Sequence, residues 1–583
     1  MQRRSTAVSP SANKPIGRFY DVVIAGGGPA GAVLGALLAR QTDLSIAIFE
    51  STVFPRAHIG ESLTAIVVPI LHQCGALRKV LSSDCYVPKY GGYFFWDQQS
   101  PWVAFFDRAQ TDDGTLPPTF HVNRAEFDHI LLEHAESDGC TVFEGVTVTA
   151  VHARRNGCRI RLGEAGETCC RIFADASGRE RRRAAESKSV DFLIRHRNIA
   201  IWTHVVGGKP AQSLDGEWNI FRKPNRSPIG NFAFEDGWFW YIPVPMTIDG
   251  ERRLTHSLGL VTHPEIVKQA AKRYTDLDQL MSTARRIPFL RDLVADAAPV
   301  RSKTLTAKNY SMISRRIADY DGKRLALGDA AYFVDPLFST GVSFGMIHAV
   351  AAASVIRQSF DPASPGSVKR EAWVDYEETL RQLAQSFALG VELWYAALAA
   401  ENPKSVYWRG ATARSGLDLR RDLFHELVNV GLPPSRFRTT PEAESDARLF
   451  GSDGPLTEIA ERMNRDCRPR DAMLMRLKPN VDIKDSVTLR SALDEVSDGV
   501  QLPFSRHTRC QRFYFVDQPK AGSVPFIDRL HSGVALYRAL AEGWQQYGAL
   551  KSALGARGRR LLSHLLRADM IELAEPSDLL NVT

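Results

Sequence analysis

At 583 residues the chain exceeds one ordinary core, so a large two-part unit or two to three domains are expected. A hydrophobic fraction of 44% with 24% charged residues excludes a disordered chain. The formal net charge of +7 is spread along the sequence with no dense basic run interleaved with aromatics, which argues against a nucleic-acid partner.

No apolar run reaches the roughly 18 residues that a membrane-spanning helix needs, so no membrane association is expected. The eight cysteines form neither a CxxC pair nor a Cys/His zinc spacing, and adjacent Cys169 and Cys170 would face opposite sides of a strand. Reduced thiols in a cytoplasmic protein without a metal site are the expectation.

In chain order, residues 1–18 lack any acid and contain Arg, Ser and Pro, and read as a disordered leader. Asp21 to Ala25 is a short apolar β-branched run, followed by Gly26-Gly27-Gly28-Pro29-Ala30-Gly31, the helical AVLGALLAR and a second run ending at Glu50. That is one βαβ unit. Strand signals continue to about Ser177, with Asn156-Gly157 suggesting a hairpin. The segments NIAIWTHVV, WFWYIPV and THSLGLVTH, within 198–263, read as a second sheet over a ligand cavity. An apolar strand then runs into Gly328-Asp329, and Ser339-Thr340-Gly341 opens a helix.

Beyond Gly345 long Ala/Leu/Glu/Arg-rich helical patterns take over, residues 432–455 read as a linker, and 520–583 read as short helices around a winged-helix-like unit. The fold class is therefore α/β: a dinucleotide-binding FAD domain, a second mixed β-sheet substrate region and a mainly helical C-terminal part. The expected boundaries are a core over 19–360 and a helical region over 361–583. Within the core, 19–85, 120–190 and 300–360 build the FAD parts, and 86–119 with 191–299 the substrate side.

The glycine turn is the firmest chemical signal. A helix N-terminus directs free N–H groups and a positive dipole end at a pyrophosphate. Gly26, Gly28 and Gly31 supply the tight turn, the close backbone approach and the helix packing, with Pro29 and Ala30 between them. Glu50 falls about 20 residues on, where an acid accepts hydrogen bonds from the adenosine ribose. Asp329 after its strand is placed to bind a ribityl hydroxyl. Asp175-Ala176-Ser177-Gly178 is similar to a patch shared by FAD-dependent oxidases and hydroxylases.

Three further segments resemble the flavin-dependent halogenases, within the wider group of aromatic hydroxylase-like flavoproteins. The first is Gly237 to Pro243, whose W-x-W-x-I-P pattern implies that Trp238 and Trp240 keep the substrate from the flavin. The second is Lys89 in PKYGGYFFW, in the position of the family's catalytic lysine, with Tyr90, Tyr93, Phe94, Phe95 and Trp96 as apolar neighbours. The third is DPLFSTGVSF, in which the resemblance implies halide binding by the backbone of Thr340 and Gly341, and flavin contact by Pro336, Gly341 and Val342. The segment FPRAHIGESL adds Arg56, Ile59, Gly60, Glu61 and Ser62 to the flavin site or the path between sites, and Arg124 in RAEFD matches a cofactor-contacting arginine.

The resemblance implies that FADH2 from a separate flavin reductase reacts with O2, and that chloride or bromide is oxidised to hypohalous acid. Lys89 then directs this acid at an electron-rich aromatic in secondary-metabolite biosynthesis. One departure bears on the substrate: Phe338 stands where tryptophan halogenases carry a Glu before the Ser-Thr-Gly turn. A phenol or pyrrole, able to lose its own acidic proton, is expected rather than free tryptophan. The substrate could be free or tethered to an acyl or peptidyl carrier protein. The competing reading is an FAD-dependent monooxygenase that hydroxylates an aromatic, which needs neither Lys89 nor the tryptophan pair.

Overall fold

The structure is a computed structural model that describes residues 15–89, 91–95, 102–105, 119–179, 190–192, 198–216, 218, 228–269, 273–307, 311–401, 407, 472–495, 501–516, 524–526, 533–554, 561–562, 565 and 570–574. The chain opens with β1 (Phe19–Ala25), α1 (Pro29–Gln41) and β2 (Ile46–Glu50), then leaves this unit for β3 (Tyr86–Lys89), β4 (Gly91–Phe95) and β5 (Thr119–Val122). It returns with α2 (Arg124–Ser137), β6 (Thr141–Glu144) and β7 (Glu167–Asp175). A second excursion runs through β8 (Ile199–Val206), β9 (Ile229–Phe234), β10 (Gly237–Ile248) and β11 (Glu251–Thr262). The chain comes back by β12 (Arg324–Ala326) to helices α3 (Gly341–Phe360) and α4 (Gly366–Glu401).

The first sheet has the parallel order β12-β7-β1-β2-β6. Val22 and Ile24 of β1 face one core cluster while Val23 and Ala25 face another, so the strand is covered on both sides, as a parallel strand requires. An antiparallel hairpin, Ala150–Arg154 with Gly157–Arg161, extends this sheet beside β7. Its register sets Arg154 opposite Gly157, so the turn residues are Arg155 and Asn156, one position earlier than Asn156-Gly157 suggested. Sheets of this kind bind ligands beyond the carboxyl ends of their strands.

The second sheet runs Ala298–Pro299, β8, β11, β10, β9, β4 and Trp102–Phe105. Residues directly opposite one another share a face. One row on the face towards the first sheet's ligand end therefore holds His204, Ser257 and Ile242. The next holds Trp202, Gly259, Trp240, Asn231 and Phe94, and a third Ala200, Val261, Trp238 and Ala233. The opposite face is sealed by aromatics: Phe95 stacks on Phe232 at 5.2 Å and on Phe289 at 4.1 Å, and Tyr93 meets Trp218 edge-on at 5.5 Å.

The C-terminal part combines the expected helices with a long hairpin, β13 (Val481–Glu495) and β14 (Gln501–Phe515), packed against α3 and α4. Val481, Ile483, Val487 and Leu489 alternate with Asp482, Lys484 and Thr488, a period of two, and Asp498-Gly499 falls between the two strands, a hairpin signal in the sequence that the expected helical region passes over. Helices Gly533–Glu542 and Tyr547–Ala553 lie by a small sheet of Gln545–Gln546, Leu474–Leu477 and Ile571–Ala574, with Met475, Leu536 and Leu565 in its core. This unit takes one strand from upstream of residue 520. The expected linker and residues 1–14 of the leader lie outside the described residues. Among the described residues no helix is long and apolar enough to cross a membrane.

Candidate active site

The turn after β1 leaves no room for a side chain at Gly26 or Gly31. A Cβ on Gly26, whose φ is +103°, would lie 2.3 Å from the Ala176 carbonyl oxygen, and one on Gly31 would lie 2.0 Å from the Gly26 carbonyl oxygen. Gly28 caps α1 and Pro29 occupies its first turn, where a missing N–H costs nothing. Buried Glu50 braces the turn: its Oε2 accepts from the Gly27 N–H at 2.8 Å, and its Oε1 from the Thr52 N–H at 2.9 Å and hydroxyl at 2.8 Å. The expected ribose acceptor is thus also the strut of the glycine turn.

This turn forms one end of a cavity of 480 Å³ that reaches the tryptophan face of the second sheet. Every residue expected to contact the cofactor lines it except Gly31, which packs beneath the turn: Gly26, Gly28, Pro29, Ala30, Glu50, Arg56, Ile59, Gly60, Glu61, Ser62, Arg124, Asp329, Pro336, Gly341 and Val342. Arg124 is held by a double hydrogen bond to Asp128, at 2.8 and 2.9 Å, and donates to the Ile59 carbonyl at 2.6 Å, which fixes the strap 56–62 over the cavity. A side-chain-free cradle at a helix N-terminus, an acid at the end of β2 and an elongated cavity fit FAD. Two cavity residues carried no signal of their own: Arg179, 3.8 Å from Asp329, and His58, which burial and the nearby Arg124 push down to about 3 and so keep neutral.

Lys89 ends β3 and does not line this cavity. Its Nζ is buried and donates to the Leu63 carbonyl at 2.8 Å, and desolvation pushes its pKa down to about 7. The strap between is short. Glu61 and Ser62 form cavity wall, with Glu61 Oε1 joined to His204 Nε2 at 2.5 Å. Leu63 meets Lys89, and the Thr64 hydroxyl donates to Ser343 Oγ at 2.7 Å on the first turn of α3. Lysine, cavity wall and helix opening are therefore bound to one four-residue segment.

The helix opening is set by Asp335. Its Oδ1 accepts from the Leu337 N–H at 3.1 Å and the Tyr395 hydroxyl at 2.8 Å, and its Oδ2 from Asn198 Nδ2 at 3.1 Å. Complete burial nevertheless raises its pKa to about 6. Ser339 takes a left-handed φ of 59°, Thr340 caps α3, and the first N–H groups of that helix have no intrahelical acceptor. Such an end attracts an anion. Phe338 is buried 6.1 Å from Phe387, so no carboxylate stands at this position.

Both motif tryptophans are locked. Trp238 Nε1 donates to Tyr395 Oη at 2.9 Å, which links the tryptophan strand to Asp335 through α4. Trp240 Nε1 donates to Ser257 Oγ at 3.1 Å, and its indole lies across Gly259, where a Cβ would be 2.0 Å away. Tyr395 was not foreseen, because a tyrosine in an Ala/Leu-rich helix looks like core.

A glycine-turn parallel sheet with a second sheet closing its ligand end defines an FAD-binding flavoprotein, and residues 19–175 match the FAD binding domain family model. Residues 103–431, more than half of the chain, match the tryptophan halogenase model. The chain belongs to this family of flavin-dependent halogenases. It is 31% identical over 345 residues to a tryptophan 2-halogenase of Chondromyces crocatus, covering 58% of this chain and 60% of that protein. It thus spans less than two thirds of that relative. It is 30% identical over 402 residues to the 1H-pyrrole-2-carbonyl-[peptidyl-carrier protein] chlorinase of Pseudomonas fluorescens, covering 64% of this chain and 82% of that protein. The solved flavin-dependent halogenase CmlS shares the fold, with a TM-score of 0.65 at 23% identity over 96% of both chains.

Proposed function

We propose that the chain halogenates an electron-rich aromatic of the phenol or pyrrole type, with reduced FAD from a separate reductase, O2, and chloride or bromide. The observation that carries this reading is the buried Lys89, joined through Leu63 and Thr64 to the first turn of α3. A monooxygenase has no use for a desolvated amine held at that place.

The Gly26–Gly31 turn, Glu50, Arg124 and Asp329 would hold FAD, which when reduced supplies the oxygen chemistry that oxidises halide. Thr340 and Gly341 offer the halide a helix opening. Trp238 and Trp240 form the wall between the flavin cavity and the aromatic, which keeps the substrate from taking oxygen directly. With its pKa near 7, Lys89 exists at neutral pH both as ammonium, which donates a hydrogen bond to hypohalous acid, and as amine, which takes the halogen as the O–halogen bond breaks and its own N–H proton leaves with the hydroxide as water. Positioning then sets the regiochemistry.

No carboxylate occupies the Phe338 position to take the ring proton, so a substrate that sheds its own acidic O–H or N–H suits the site. A carrier-tethered substrate is supported by the named reaction of the Pseudomonas relative. Incubation with a flavin reductase, NADH, FAD and bromide against free and carrier-linked phenols and pyrroles tests the reading by mass spectrometry. A bromine isotope doublet is expected. Oxygen insertion in place of halogen would assign the chain to the hydroxylases.

A further inference from the structure

Asn231 is fully buried, and neither its Nδ2 nor its Oδ1 has a hydrogen-bond partner among the described residues. A buried amide that satisfies neither group is costly, and an isosteric leucine would avoid the cost. Its place explains why an amide could stand there. Asn231 lies directly opposite Trp240 and beside Phe94, on the face of the second sheet that carries Trp238. Ile229, two residues earlier on that face, lines the cavity together with Trp238, Trp240 and Ile242.

The Trp240 indole does not cap the amide. It leans the other way, over Gly259, and spends its N–H on Ser257. On the other side of Asn231, Phe94 belongs to β4, the strand that follows Lys89 almost at once. The amide therefore stands between the shielding tryptophan and the strand led in by the lysine, directly behind the cavity wall formed by Ile229, Trp238 and Trp240 and not itself part of that wall.

We propose that Asn231 orients the aromatic substrate, and that this substrate carries a hydrogen-bond donor and an acceptor on neighbouring positions. A primary amide presents N–H and C=O side by side, so it pairs in a ring of two hydrogen bonds with an edge such as a pyrrole N–H next to a carbonyl, or with two adjacent phenolic hydroxyls. A ring with neither group leaves both amide atoms unpaired and is rejected, which is the strongest form of selectivity a binding site has. The inference deepens the halogenase reading and rests on it.

The test uses the full chain loaded with FAD, with 2-acetylpyrrole and catechol as probes and their blocked counterparts 1-methyl-2-acetylpyrrole and 1,2-dimethoxybenzene as controls. The probes are expected to raise the thermal midpoint of the wild type and the controls to leave it unchanged. Asn231→Leu is expected to match or exceed the unliganded midpoint of the wild type, to lose the probe-induced shift, and to raise KM for the probe at least tenfold with little change in KM for bromide. Asn231→Asp, which keeps one acceptor, is expected to fall between.

A probe-induced shift that survives in Asn231→Leu, no shift of the wild type by either probe, or equal destabilisation by both variants would overturn the proposal. If the wild type brominates a probe and Asn231→Leu does so with unchanged KM, this inference fails alone. If the probe shift is lost in Asn231→Leu but the wild type incorporates no halogen, the halogenase reading fails and the binding site stands.

Discussion

Lys89 Nζ donates a 2.8 Å hydrogen bond to the carbonyl of Leu63, within a buried setting that holds its pKa near 7. The amine is therefore fixed by backbone two residues from the cavity wall at Glu61. Lys89→Ala is expected to lose halogenation by at least a hundredfold, while flavin titration shows FAD affinity within a factor of two of wild type. The lysine does not line the FAD cavity, so a joint loss of both would assign it a structural role.

The same amine makes stability depend on pH. Its folded pKa, about 7, lies below the ordinary 10.5, so between these values the unfolded chain binds more protons than the folded one. Stability then rises with pH across that window and is lowest at and below pH 7. Lys89→Met removes this dependence and is expected to be more stable than wild type at pH 6.5 by on the order of a few kcal/mol, with the gap closing towards pH 10. Chemical denaturation of both proteins at several pH values measures it. A gap that does not change with pH would contradict the buried amine.

Thr64 and Ser343 share a 2.7 Å hydrogen bond that ties the strap to the helix opening. Ser343→Ala leaves the Thr64 hydroxyl buried and unpaired at an expected cost of about 1–3 kcal/mol. More tellingly, it lets the lysine strap and the Thr340–Gly341 turn move independently. The fraction of reduced flavin oxidised without halogenated product is expected to rise severalfold, as read by peroxide release per product formed. Unchanged coupling would show that the strap is packing alone.

Gly259 is the floor on which Trp240 rests. A methyl group there would sit 2.0 Å from the indole, so Gly259→Ala must displace the ring or the strand. An expected loss of about 1–3 kcal/mol follows from overpacking. With the wall breached, oxygenated by-products are expected beside the halogenated product in mass spectra. Their absence, with Trp240 fluorescence unchanged, would contradict the assigned role.

Much of this site was legible because its chemistry dictates backbone. A strand, three glycines and an acid at fixed spacing leave few alternatives, and Gly26, Gly28 and Glu50 stand together as that pattern requires. Residues whose role depends on pairing across the fold gave no local sign. Tyr395 reaches Asp335 from a helix 60 residues on, and Asn231 is marked only by what it fails to bond. The β13–β14 hairpin did carry a local sign, Asp498-Gly499 between its strands, but its alternation is interrupted by charges and its stabilising surface belongs to α3 and α4.

Glu50 offers a separate check on the cofactor end. Glu50→Ala removes acceptors from the Gly27 N–H and from the Thr52 N–H and hydroxyl, so FAD affinity is expected to fall at least tenfold while the halide preference of residual turnover stays the same. Flavin fluorescence titration measures the first, competition between chloride and bromide the second. A change in halide preference would place Glu50 in contact with more than the cofactor end.

The most direct test of the central claim is the product mass of one phenol or pyrrole turned over by wild type and by Lys89→Ala, each in chloride, in bromide and without halide. Halogen isotope doublets from the wild type that follow the halide supplied, and none from the lysine variant at equal FAD content, are the expected result. A halide-independent oxygenated product from the wild type, or halogenation retained by Lys89→Ala, would contradict the account.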